Sequence, residues 1–137
     1  MARPSKIEVS AVNVRIPADR DRDYVALVDI LLQLKAGVRV YGNSYVAITY
    51  FDPKSLVGVF SKYSEIDVDG EWFNTDDLDI AAPEDVESIV IPENLRPNYA
   101  AFYFLLDPGM HVIASETYAE SKGLSSRSVH QYFSKSL

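Results

Sequence analysis

The side chains in this sequence that could do chemistry are mostly carboxylates, and half of them stand in one stretch. Ten of the twenty lie between Glu65 and Glu87: Glu65, Asp67, Asp69, Glu71, Asp76, Asp77, Asp79, Glu84, Asp85 and Glu87. No Lys or Arg interrupts them, and the thirteen cations elsewhere leave the rest of the chain at +3 while the whole carries −7. A surface of single sign attracts a partner of opposite sign and speeds encounter. This density exceeds what solubility requires. Glu65 to Asp85 are therefore the expected partner-binding carboxylates, with the aromatic side chains of Trp72 and Phe73 among them.

Glu65, Asp67, Asp69, Gly70 and Asp76 also fall at the first, third, fifth, sixth and twelfth places of a calcium-loop spacing. The first place has Glu where Asp is expected and the twelfth Asp where a bidentate Glu is expected. A strand, moreover, precedes the loop where a helix should. Asp69-Gly70 reads as a turn in a solvated acidic loop, and no metal or cofactor is expected.

Gly42 to Tyr50, GNSYVAITY, faintly resembles an RNA-recognition strand in Gly42, Tyr45 and Val46. Asn43 and Ile48, however, stand where stacking aromatics belong, and Tyr41 replaces a basic residue. Tyr41 and Tyr45 are the nucleic-acid-binding candidates under that alternative, which the net charge disfavours. His111 and His130 have no acidic residue or second imidazole at triad or ligand spacing. Ser125, Ser126 and Ser128 read as helix-start residues, not nucleophiles. No catalytic residue is assigned, and a non-enzymatic role is expected.

The elements that must carry these residues are legible in the hydrophobic pattern. Asn98 to Glu116, NYAAFYFLLDPGMHVIASE, reads as a central β-hairpin whose first strand is apolar on both faces, so it should lie within a covered sheet. Asp107-Pro108-Gly109-Met110 supplies the turn, with Gly109 expected at positive φ. Lys6 to Ile16 reads as a strand with a bulge near Ala11. A helix follows, capped by Asp19 or Asp21, striped by Tyr24, Leu27, Val28, Leu31 and Leu34, and closed by Gly37. Residues 38–66 form an antiparallel meander. Residues 67–97 form an acidic, proline-containing excursion in which Trp72 and Phe73 pin the loop, Thr75 caps a short helix near 76–81, and Val86 to Ile91 make a short strand. Ser125 starts a last helix through Val129, Tyr132, Phe133 and Leu137.

The expected fold is a single α+β domain over 1–137: an antiparallel β-sheet with two main helices packed on one face, ferredoxin-like with an acidic insertion. No run approaches the ~18 apolar residues of a membrane span. MARPSK lacks a secretory apolar core. The chain has no cysteine, which suits a reducing compartment, and a cytoplasmic location is expected.

KIEVSAVNVRI (Lys6 to Ile16), EIDVDGEWFN (Glu65 to Asn74), IPENLRPNY (Ile91 to Tyr99) and SSRSVHQYF (Ser125 to Phe133) together resemble an uncharacterised family of bacteria and their phages, domain of unknown function 4747. The resemblance spans most of the chain. It implies a phage or prophage setting, possible antiviral defence, and a longer polypeptide of which this is the N-terminal part. It transfers no site residue. The expected partner is another protein, of host or phage. RNA or other nucleic acid handling, and a structural role as a homo-oligomer, are the alternatives.

Overall fold

The computed structural model describes residues 6–14, 23–67, 70–119 and 122–136. Its centre is a seven-stranded antiparallel sheet. Strands β1 (Glu8–Asn13), β2 (Val38–Tyr41), β3 (Ser44–Asp52), β4 (Val57–Ser64), β7 (Ala100–Asp107) and β8 (Val112–Ala119) run in the spatial order β1-β8-β7-β4-β3-β2, and β9 (Lys122–Gly123) pairs with β8. A separate two-stranded ribbon, β5 (Phe73–Asn74) and β6 (Asp79–Ile80), lies in the acidic excursion. The helices are α1 (Tyr24–Leu34), α2 (Pro83–Glu87) and α3 (Ser126–Ser136).

This corrects the ferredoxin-like expectation. The molecule is mostly β, with a curled sheet and three small helices. A ferredoxin-like sheet keeps its first strand in the interior; here β1 is an edge because it pairs only with β8. Register shifts between Glu8 and Val9, Arg39 and Tyr41, and Ile48 and Tyr50 each place an extra residue in one strand, which bends it and raises its twist. Helix α3 packs against both edge strands, β1 and β2, and α1 packs against β3. The α3 residue Lys135 donates to the Arg39 carbonyl of edge β2 at 2.7 Å.

Strand β7 lies in the interior of the sheet, as its composition predicts, but it is not covered on both faces. Ala100, Phe102, Phe104 and Leu106 are buried and the residues between them are exposed. The inward face meets an aromatic cluster: Phe60 lies 4.4 Å from Phe104, and 5.8 and 6.0 Å from Tyr132 and Phe133 of α3. Burying each such ring stabilises the fold by about 1.5–3 kcal/mol. Outward, Tyr103 is 62% and Leu105 48% exposed. Their cross-strand neighbours are Val59 and Val57, with Tyr50 opposite Val59.

The hairpin turns as expected between Asp107 and Val112, which are paired. The left-handed residue is His111 (φ 55), however, not Gly109. Asp107 Oδ1 accepts from the Met110 amide at 3.1 Å, and the His111 carbonyl accepts from the Val14 amide at 2.7 Å. These bonds accompany a left-handed residue two positions later than expected. Helix α1 is capped by Asp23, whose side chain accepts from Ala26 N–H, and it ends on Lys35 at φ 50. Asp19 and Asp21 lie outside the described residues. Gly37 is instead needed for close approach: a Cβ there would fall 1.8 Å from the Tyr63 hydroxyl. The bulge expected in β1 near Ala11 is not there: Ala11 pairs regularly with Ala114, and the register shifts at Glu8/Val9, where the extra residue is Thr117 of β8. Ser125 does begin α3, accepting from Ser128 N–H at 3.1 Å.

Candidate functional site

The excursion leaves the sheet after β4 and returns before β7, and its two ends are tied together. The Ser64 amide donates to the Pro97 carbonyl at 3.0 Å, and the Glu65 amide to the Asn43 carbonyl at 2.9 Å. Arg96 Nε lies 2.6 Å from Glu65 Oε2, while its Nη1 donates to the Glu93 and Leu95 carbonyls, both at 2.9 Å. Asn98, at φ 63, donates from Nδ2 to Ser64 Oγ at 3.1 Å. Arg96 is the only Lys or Arg between Lys62 and Lys122. That isolation in an acidic stretch is the sequence signal for the latch, which residue patterning passed over.

Beyond this neck the chain forms a small hairpin in which Phe73 pairs with Ile80 and Asn74 with Asp79. Asn74 Oδ1 accepts from the Asp76 amide at 2.9 Å, the side-chain turn that Asn favours, and Leu78 closes it at φ 56. The Ala81 amide donates to the Trp72 carbonyl at 2.6 Å. Pro83 then opens α2, where fixed φ and a missing N–H cost nothing, and Glu84 and Asp85 sit favourably at the positive end of the helix dipole. The helix expected at 76–81 is therefore a hairpin turn, and the strand expected at 86–91 is partly helix α2.

Of the predicted partner-binding residues, Glu71, Asp76, Asp77, Asp79, Glu84 and Asp85 are exposed, as are Asp67 and Glu87. Asp69 lies outside the described residues. Among the described residues Arg96 pairs with Glu65 and Lys6 with Glu8, and Asp76, Asp77 and Asp79 stand in neither pair. Trp72 is half-buried, whereas Phe73 is 62% exposed and does not pin the segment. Leu78 and Ile80 project beside it, 75% and 61% exposed. Large apolar side chains thus alternate with uncompensated carboxylates, a pattern the charge count alone did not reveal.

Of the calcium-type spacing, Glu65 is paired with Arg96, the Asp76 carboxylate is exposed, and Asp69 lies outside the described residues. Among the described residues no three carboxylates or imidazoles converge as a metal cage. The nucleic-acid candidates do not form one platform. Tyr41 is exposed and accepts from Lys62 Nζ at 3.1 Å, while Tyr45 has one ring face on Tyr63, centroids 5.8 Å apart. The Ser44 hydroxyl and the Lys62 ammonium hold the Tyr41 phenol below its ordinary value. Partial burial, with Glu65 adding to it, raises that of Tyr63. His111 Nδ1 is hydrogen-bonded to the Tyr24 hydroxyl, a packing role.

Among the described residues no helix is long and apolar enough to cross a membrane. A family model described as a domain of unknown function, DUF4747, matches residues 5–137. No curated protein matches, and no solved structure does.

Proposed function

Because the chain belongs to the DUF4747 family, for which no function is known, we propose a role from the surface it presents: a phage- or prophage-associated protein that acts by binding a basic protein partner through residues 65–97. The observation that carries this reading is the coexistence of unneutralised carboxylates, Asp76, Asp77 and Asp79, with the exposed apolar side chains Phe73, Leu78 and Ile80 on one short hairpin. Charge steers the encounter, and burial of the apolar side chains supplies residence time. The Glu65–Arg96 pair ties the two ends of this segment together, and the hairpin pairs with itself outside the main sheet. The phage setting, and a part in defence against competing phages, is carried over from the bacterial and phage context of the sequence resemblance.

Nucleic acid suits this surface less well. The exposed rings on the outer sheet face, Tyr50 and Tyr103, have Val59 between them and Glu116 beside Tyr103, where a single-strand platform needs cations.

Affinity capture from phage-infected and uninfected cells, with and without nuclease, tests the proposal. A protein that resists nuclease and is lost with Asp76→Lys/Asp77→Lys/Asp79→Lys supports it. Co-purifying nucleic acid, or self-association alone, contradicts it.

A further inference from the structure

Between the β5–β6 hairpin and α2 runs a groove of 520 Å³ whose lining includes the apolar side chains Trp72, Ile80, Val86 and Ile89 and the carboxylates Glu71 and Glu87. A lining that joins apolar side chains to two carboxylates suits a side chain that is apolar along its stem and cationic at its end. Both Lys and Arg answer that description. A guanidinium adds a planar face that stacks on an indole and a fork that engages a carboxylate through two hydrogen bonds, whereas an ammonium is a compact, more strongly hydrated charge. We propose that this groove is the seat of an arginine side chain presented by the basic partner, its stem on Trp72 and its head between Glu71 and Glu87. The assignment rests on the partner-binding reading and narrows it to one residue type. Two carboxylates in the lining repel an anionic ligand, and an uncharged apolar side chain would leave both without a cation.

Trp72 is the only tryptophan of the chain; it lines this groove and the hollow beside the neck, so its emission reports binding at either, and Glu87, which lines the groove and not that hollow, tells them apart. The full chain is titrated with a capped, fluorescein-free Gly-Arg-Gly-Arg peptide, then with matched peptides carrying Lys or the uncharged isostere citrulline. Overall binding is followed separately by anisotropy of labelled copies. A saturable change in Trp72 emission is expected with the Arg peptide, with half-saturation about fivefold weaker for Lys and no response to citrulline. Glu71→Gln/Glu87→Gln should abolish the emission change with the far-UV spectrum intact. Trp72→Phe, read by anisotropy, should weaken binding severalfold.

An equal response to Arg and Lys, or retention of the response in the Glu71/Glu87 variant, overturns the arginine seat. Binding seen by anisotropy with Trp72 emission unchanged also overturns it, yet leaves the acidic surface as a partner site. Absence of binding by either readout removes both.

Discussion

Arg96 and Glu65 meet at 2.6 Å across the neck of the acidic excursion, thirty-one residues apart in sequence. Their side chains are 34% and 37% exposed, so solvent screens the pair, and its contribution to global stability is about 0.5–1 kcal/mol. Its larger effect is local, because the same guanidinium holds two carbonyls of the returning loop. Arg96→Ala should lower the urea midpoint only slightly and open residues 66–95 to limited proteolysis, with fragments 1–65 and 96–137 protected. Cleavage spread evenly through the chain would refute the latch.

Phe102 and Tyr103 are sequence neighbours on opposite faces of β7, one fully buried and the other 62% exposed. Phe102→Ala should cost about 3–5 kcal/mol through lost burial and a cavity. Tyr103→Ala should cost below about 1 kcal/mol. Equal losses in chemical denaturation would mean that the outer face is covered in solution.

This contrast also shows how far the sequence could be read. The alternation Ala101-Phe102-Tyr103-Phe104-Leu105 is apolar at every position, so it cannot distinguish a strand covered on both faces from one that exposes tyrosine and leucine. The hairpin at Asp107, helices α1 and α3, and the meander of β2 to β4 were legible because period and turn residues act locally. The strand order was not, since nothing local says that β1 pairs with β8 at an edge. At the site the carboxylates were legible, and the hairpin that displays Leu78 and Ile80 was missed because Thr75-Asp76 looks like a helix start while Asn74 makes the turn.

Gly58 faces the aromatic cluster. A Cβ there would lie 2.2 Å from Phe104 Cζ and 2.8 Å from the Tyr50 carbonyl oxygen. Gly58→Ala must displace a ring that is stacked on Phe60, and overpacking of this kind costs about 1–3 kcal/mol. Thermal unfolding should show a clear drop in Tm; an unchanged Tm would mean that β4 and β7 stand farther apart.

The Tyr132 hydroxyl is raised above its ordinary 10.0 because burial disfavours the phenolate, with hydrogen bonds to the Ile48 backbone and Ser136 opposing. The unfolded chain therefore gives up this proton at lower pH than the folded one. The associated stability is present below pH 10.0 and lost as pH rises toward the folded value. Urea midpoints should fall above pH 10.0, and less steeply in Tyr132→Phe. Tyr63, raised by partial burial, leaves a residual slope. Identical slopes in the two proteins would contradict the burial.

Asp76, Asp77 and Asp79 are exposed and stand in neither ion pair found among the described residues, and the proposed capture of a basic protein depends on them. Nuclease-treated captures from infected cells by wild type and by Asp76→Lys/Asp77→Lys/Asp79→Lys are compared at salt from about 50 to 300 mM, across which the screening length roughly halves. A protein held by wild type should be progressively released by salt and absent from the charge-reversed bait. The same protein held equally by both baits at every salt concentration would overturn the proposed surface.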